Sequence, residues 1–313
     1  MPQLIANFIV GSVYIYGWVS SCNMRNDVNF EFYAHRQNRY WAMILNAYFY
    51  HDLYTQQDRI DSAPNGMVCY AHWADDPDFG MASAPMLYHL TGGQFTDAFL
   101  QTIFSNPVTG QLLALLHGLL PDMTFKVCGS TQPRFFGSRF TQTAFHELGH
   151  ASFYRKVGAG WYLDFIWTEL NNGSDTDFGN PGYNGWGKVQ VGESWAEFLG
   201  TQHAIRLYGR NGVNFSQMLG WTTFGIAEEE EDWFQNVWIP SGAYFDLMDN
   251  TNALFSENFW DNTGGSNIRE MYNVFNAKTT DMCEYMGQFI ATYPNYNPFQ
   301  VNGMFNHYNS ICL

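Results

Sequence analysis

Residues 140–156 read FTQTAFHELGHASFYRK, with Gly158 just beyond. Ala144, Phe145, Leu148, Ala151, Phe153 and Tyr154 are apolar or aromatic, which predicts a buried helix. Ser138 or Thr141 is placed to cap its start, Arg155 and Lys156 suit its C-terminal end, and Gly158 can stop it. His146 and His150, four positions apart, lie roughly 40° apart around the axis and one turn above each other. Both imidazoles can therefore grip one metal ion. Glu147 points toward the same side and can reach a metal-bound water. Two nitrogen ligands, a carboxylate base and a helix to hold them are what a zinc hydrolase needs. Gly149 between the histidines costs about 1 kcal/mol relative to alanine, which is easier to understand if something packs closely there. The plainer reading is an accidental string on an amphipathic helix, with two core histidines bonded to backbone.

A third ligand has to come from elsewhere. The pattern H-E-x-x-H-x-x-G-x-x-H is excluded, because its glycine slot is Phe153 and its last histidine slot is Lys156. Residues 189–209, VQVGESWAEFLGTQHAIRLYG, read as a later helix ending at Gly209. Glu193 and Glu197 are again four apart, on a helix whose Trp195, Ala196, Phe198 and Leu199 are apolar. Two carboxylates there are costly to bury without a positive partner, and a zinc ion is one. Glu193 can bind the metal, while Glu197 can accept the Nδ1 hydrogen of a ligand histidine. The alternative is that both glutamates face water.

H-E-L-G-H followed by E-S-W-A-E resembles the gluzincin group of zinc metallopeptidases. The chain also looks similar to zinc proteases of the Bacteroidetes cell envelope, which carry H-E-L-G-H-A-S, then E-S-W-A, then a proline before D-L-x-D. Here these are His146–Ser152, Glu193–Ala196, and Pro240 before Asp246-Leu247-Met248-Asp249. The resemblance implies Zn2+ on His146, His150 and Glu193, Glu147 as base, and Glu197 as the residue supporting a histidine. It implies hydrolysis of peptide bonds by a zinc-bound water that Glu147 activates. Gluzincins often steady the oxyanion with a tyrosine or histidine, which makes Tyr183, ten residues before Glu193, the catalytic candidate. His203 is a rival, but its position ten residues after Glu193 puts it well down the helix axis.

Composition bounds the remaining choices. At 313 residues the chain can hold one large domain or two smaller ones. A net charge of −15 argues against nucleic acid and against an anionic membrane surface as partner. Residues 4–19 are too short and too interrupted to span a membrane. Residues 1–30 read as a strand region, either the end of an upstream domain or a lipoprotein signal. Val19-Ser20-Ser21-Cys22 matches a lipoprotein cleavage box, so a lipid anchor is the alternative, although no Lys or Arg precedes it. The five cysteines contain no C-x-x-C, which speaks against a thiolate zinc site; if Cys22 is lipidated, four remain for two disulfides with Cys283 and Cys312 the favoured pair, while five free buried thiols in a reduced compartment fit the same count. The resemblance places the protein outside the cell or in its envelope.

The expected fold is α+β and zincin-like: a mixed sheet packed on the motif helix, with a mainly helical C-terminal part. Residues 31–313 form the catalytic domain. A long helix is expected over Asn38–Arg59, a turn at Pro64-Asn65-Gly66, and strands over Met67–Trp73, Met81–Leu90 and Thr124–Cys128. Gly110–Leu120 reads as a short apolar helix or buried loop. Residues 171–187, rich in glycine and asparagine, read as a cleft wall or lid. Helical segments are expected over Gly242–Asp249, Asn267–Phe275 and Thr280–Ala291. Asp246 and Asp249 read as helix-surface acids. The favoured function is a zinc-dependent metallopeptidase acting on a peptide or protein. The alternative is a non-catalytic cell-surface binding module with a structural zinc site.

Overall fold

The computed structural model describes residues 3–4, 37–74, 82–93, 121–128, 137–172, 184–209, 239–248 and 265–307. The elements in chain order are β1 (Gln3–Leu4), α1 (Gln37–Asp58), β2 (Val68–Ala74), β3 (Ala82–Ser83), α2 (Leu87–Gly93), β4 (Met123–Cys128), α3 (Gly137–Val157), α4 (Ala159–Asn172), α5 (Trp186–Tyr208), α6 (Gly242–Met248), α7 (Ile268–Val274), α8 (Met282–Thr292) and α9 (Pro298–His307). The chain is α+β, mostly helical with one small mixed sheet. It divides into two units, one of residues 1–48 with 64–141 and one of residues 49–63 with 142–313.

The first unit holds the sheet, in the order β1-β2-β4-β3. β2 runs parallel to β4 in a register from Cys69↔Met123 to Ala74↔Cys128, and β3 closes one edge antiparallel to β4. Val68, Cys69, Met123 and Phe125 supply its buried apolar side chains. Phe140, in the first turn of α3, packs on Phe125 of β4 and on Tyr40 of α1 with ring centroids 5.6 and 5.0 Å apart. This packing explains why α3 starts at Gly137, earlier than Ser138 or Thr141 could cap it: both lie inside the helix, and Thr141 is buried.

The strand expected over Met81–Leu90 is confined to Ala82–Ser83, and α2 follows at Leu87. The cause is Asp122, which is fully buried. Its Oδ1 accepts from the backbone N–H of His89 at 3.0 Å. Its Oδ2 accepts from the N–H of Val68 and faces His89 Nδ1, each at 2.9 Å. A buried carboxylate that gathers backbone donors outweighs the strand preference of an apolar stretch. Met86 takes a φ of 51° at the turn.

The second unit is built around α5, which is buried along almost its whole length from Gly187 to Ala204. Trp195 is its centre, ringed by Phe198, Tyr244, Tyr272 and Phe275 with centroids 4.9–5.6 Å away. α7 begins with a capping box in which Asn267 and Glu270 satisfy each other's backbone N–H groups, and Asp281 caps α8. Gly158 (φ 86°) follows α3 and Gly209 (φ 74°) follows α5, as expected for helix stops. The helices expected near Asn38–Arg59, Gly242–Asp249, Asn267–Phe275 and Thr280–Ala291 are present as α1, α6, α7 and α8. Asp246 is buried, contrary to the surface role expected of it. α4 and α9 stand where no helix was expected. Cys283 is disulfide-bonded. Cys22, Cys312, Asp249, residues 5–36 and Gly110–Leu120 lie outside the described residues. Among the described residues no helix is long and apolar enough to cross a membrane.

Candidate metal centre

α3 and α5 approach each other through their smallest residues. A Cβ on Gly149 would lie 3.1 Å from the Cα of Ala196, and one on Gly200 would lie 2.7 Å from the backbone N of His146. Gly149 is thus explained by the close neighbour its helix cost called for. The approach lets side chains one turn away on each helix meet.

His146 Nε2 and His150 Nε2 lie 3.0 Å apart. Glu193 reaches both from α5, with Oε2 3.2 Å from His146 Nε2 and Oε1 3.2 Å from His150 Nε2. His150 and Glu193 are each only 4% exposed. Although Glu193 Oε2 is close to a ring nitrogen, it makes no well-directed hydrogen bond, and His150 Nδ1 also has none. Three donor atoms converging on one point, two of them on buried residues and the third on half-buried His146, can hold a metal ion. The alternative of glutamates facing water is excluded for Glu193 by its burial.

Glu197 accepts from His146 Nδ1 at 3.0 Å through Oε2. That bond fixes the tautomer of His146 and leaves Nε2 with a lone pair for the convergence point. The other oxygen of Glu197 accepts from Thr201 Oγ1 at 3.1 Å, and Thr201 in turn accepts from Gln142 Nε2 at 3.1 Å. His150 stacks on Phe165 of α4, with centroids 5.5 Å apart.

The charges interlock. Burial works to lower the His146 pKa, but the carboxylates of Glu193 and Glu197 beside the ring outweigh it and raise it well above the usual histidine value. Burial works to raise Glu193, but His150 and His146 outweigh it and hold its carboxyl well below the usual range. Glu147, 5% exposed, is raised by burial, partly offset by the two histidines. A carboxyl raised toward neutrality is better matched to taking and giving a proton.

Glu169 on α4 was not foreseen. Its carboxyl is hydrogen-bonded to that of Glu193, and burial followed by the Glu193 charge raises its pKa well above the usual carboxylate range. The signal was present in Trp161, Tyr162, Phe165, Ile166 and Glu169, which recur at helical spacing. Gln142 and Thr201 were also missed, although they stand one turn from His146 and Glu197.

Tyr183 lies outside the described residues. The rival His203 is away from the convergence point. It is fully buried against His51, Phe145 and Tyr54, with centroids 5.0, 5.5 and 5.3 Å away. Comparison of the chain with protein-family models, with curated proteins and with solved structures returns no match.

Proposed function

We propose that the chain is a zinc-dependent metallopeptidase of the gluzincin type on a zincin-like fold, acting on peptide or protein substrates. The observation that carries this reading is the triangle of donor atoms at 3.0, 3.2 and 3.2 Å on His146, His150 and Glu193. Zinc bonds of 2.0–2.1 Å in a tetrahedron separate neighbouring ligand atoms by about 3.3 Å. Two imidazoles and one carboxylate leave a fourth position open, the pattern of catalytic and not of structural zinc sites. When bound, zinc supplies a Lewis acid that polarises a carbonyl and acidifies water.

The chain's own groups do the rest. His146, His150 and Glu193 hold the ion, and Glu197 keeps His146 in the ligating tautomer. Glu147 follows His146 directly in the sequence, as a base must to reach water at the ion. Its carboxylate takes the proton of the attacking water and delivers it to the leaving amine nitrogen. Tyr183 is proposed as the donor to the oxyanion. Location in the cell envelope or outside the cell belongs to the same proposal and rests on the resemblance of the two motifs.

Glu147→Gln separates this reading from a binding module with structural zinc. The variant should keep its zinc and lose at least about 100-fold in hydrolysis of a casein or mixed-peptide substrate. Equal hydrolysis by variant and wild type would remove Glu147 from the chemistry.

A further inference from the structure

We propose that Thr201 and Gln142 form a relay that fixes Glu197 and, through it, His146, making both positioning residues for the metal centre. The inference rests on the reading of His146, His150 and Glu193 as zinc ligands and extends it beyond the residues that the two motifs contain.

The Gln142 amide nitrogen can only donate, so its 3.1 Å bond occupies a lone pair of Thr201 Oγ1. The single hydroxyl hydrogen of Thr201 then goes to Glu197 Oε1, also at 3.1 Å. Glu197 Oε2 is left to accept from His146 Nδ1 at 3.0 Å. With the Gln142 amide nitrogen facing Thr201, the bonds run Gln142→Thr201→Glu197←His146 and satisfy every donor in the series.

The relay also follows from the helices. Gln142 stands one turn before His146 on α3, and Thr201 one turn after Glu197 on α5. The four side chains therefore form an open series of three hydrogen bonds between α3 and α5, whose backbones come together where Gly200 meets His146. The Glu197 side chain is 16% exposed, so water competes for its oxygens. Without Thr201 the carboxylate can turn toward solvent, and His146 loses the acceptor that sets its tautomer. The hydrogen bonds of Gln142 and Thr201 run to each other and on to Glu197, so their effect passes through Glu197.

The test is zinc affinity, measured on the full chain by competition with a chromogenic chelator. Thr201→Val keeps the shape and removes the hydroxyl. It should weaken zinc binding roughly 3- to 10-fold, below the 10–100-fold typical of losing a ligand's direct partner. Thr201→Ser should restore wild-type affinity. In a Glu197→Ala background, Thr201→Val should cause no further loss, because the residue through which it acts is gone. Imidazole nitrogen NMR should show the His146 Nδ1–H signal altered in Thr201→Val and restored in Thr201→Ser. If Thr201→Val fails to fold, Gln142→Met carries the same expectation from the outer end of the relay. Unchanged affinity in Thr201→Val, or an equal loss with and without Glu197, would overturn the relay while leaving the metal centre standing. A wild-type chain that binds no zinc would overturn both.

Discussion

Gly200 of α5 faces the backbone of His146 so closely that a Cβ would lie 2.7 Å from its nitrogen and 2.9 Å from its Cα. Neither atom belongs to a flexible side chain, so a methyl group there must push the two ligand helices apart. Gly200→Ala should therefore cost about 1–3 kcal/mol, despite the gain of about 1 kcal/mol in helix propensity. Gly149→Ala meets Ala196 at a milder 3.1 Å and should cost less. Urea unfolding of both variants gives the order, and the reverse order would show that the helices have room to move.

His51 of α1 and His203 of α5 are both fully buried, edge to face, and none of their four ring nitrogens has a hydrogen-bond partner among the described residues. Burial lowers His51 to about 3 and holds His203 well below the usual value, with the charges of His51 and Arg206 adding to the effect on His203. Tyr54 packs against the His203 ring, and Arg206, whose charge acts on His203, is paired with Asp58. The unfolded chain binds protons at these histidines below pH 6.5 while the folded chain does not. Their contribution is thus intact above pH 6.5 and is lost as pH falls. Each costs about 1.4 kcal/mol per pH unit in that range. Replacing both by Phe should flatten the fall in stability between pH 6.5 and 5 relative to wild type, read by urea unfolding at several pH values. An unchanged slope would show that one or both are already protonated in the fold.

Asp122 accepts from two backbone N–H groups and faces His89 in a fully buried position. Asp122→Ala strands those donors and should cost roughly 2–4 kcal/mol. Burial works to lower His89, but Asp122 outweighs it and raises its pKa. The stabilisation from this pair is full below pH 6.5 and declines as pH rises through the raised value, the opposite sign to the His51–His203 pair. Thermal melting of His89→Ala against wild type at pH 6 and pH 9 should show the larger gap at pH 6.

Metal removal should loosen the helical unit. Without an ion, the burial of Glu193 is offset chiefly by the two histidines. Zinc at a hundredfold excess over its dissociation constant should stabilise the fold by about 2.7 kcal/mol. Chelation should lower the melting temperature of wild type and leave that of Glu193→Ala unmoved.

The candidate ligand cluster was legible because helical periodicity turns a spacing of four into a shared face, and this holds for His146 and His150 as for Glu193 and Glu197. The tight neighbour of Gly149 was legible as a cost needing a cause, but its identity, Ala196, was not. Gly200, Thr201 and Gln142 belong to a crossing of two helices, and no spacing along one helix encodes a crossing. Glu169 was missed because α4, so rich in aromatics, was not read as a helix at all. The strand over Met81–Leu90 failed for a different reason. A single buried aspartate, Asp122, more than thirty residues downstream, sets the backbone there, and local pattern carries no trace of it.

Elemental zinc analysis of wild type and Glu193→Ala, purified in parallel, tests the metal centre most directly. About one zinc per chain in wild type, lost or greatly weakened in the variant, is the expected result. Zinc held equally by both would mean that Glu193 is not a ligand. No zinc in either, even after reconstitution, would contradict the metallopeptidase reading as a whole.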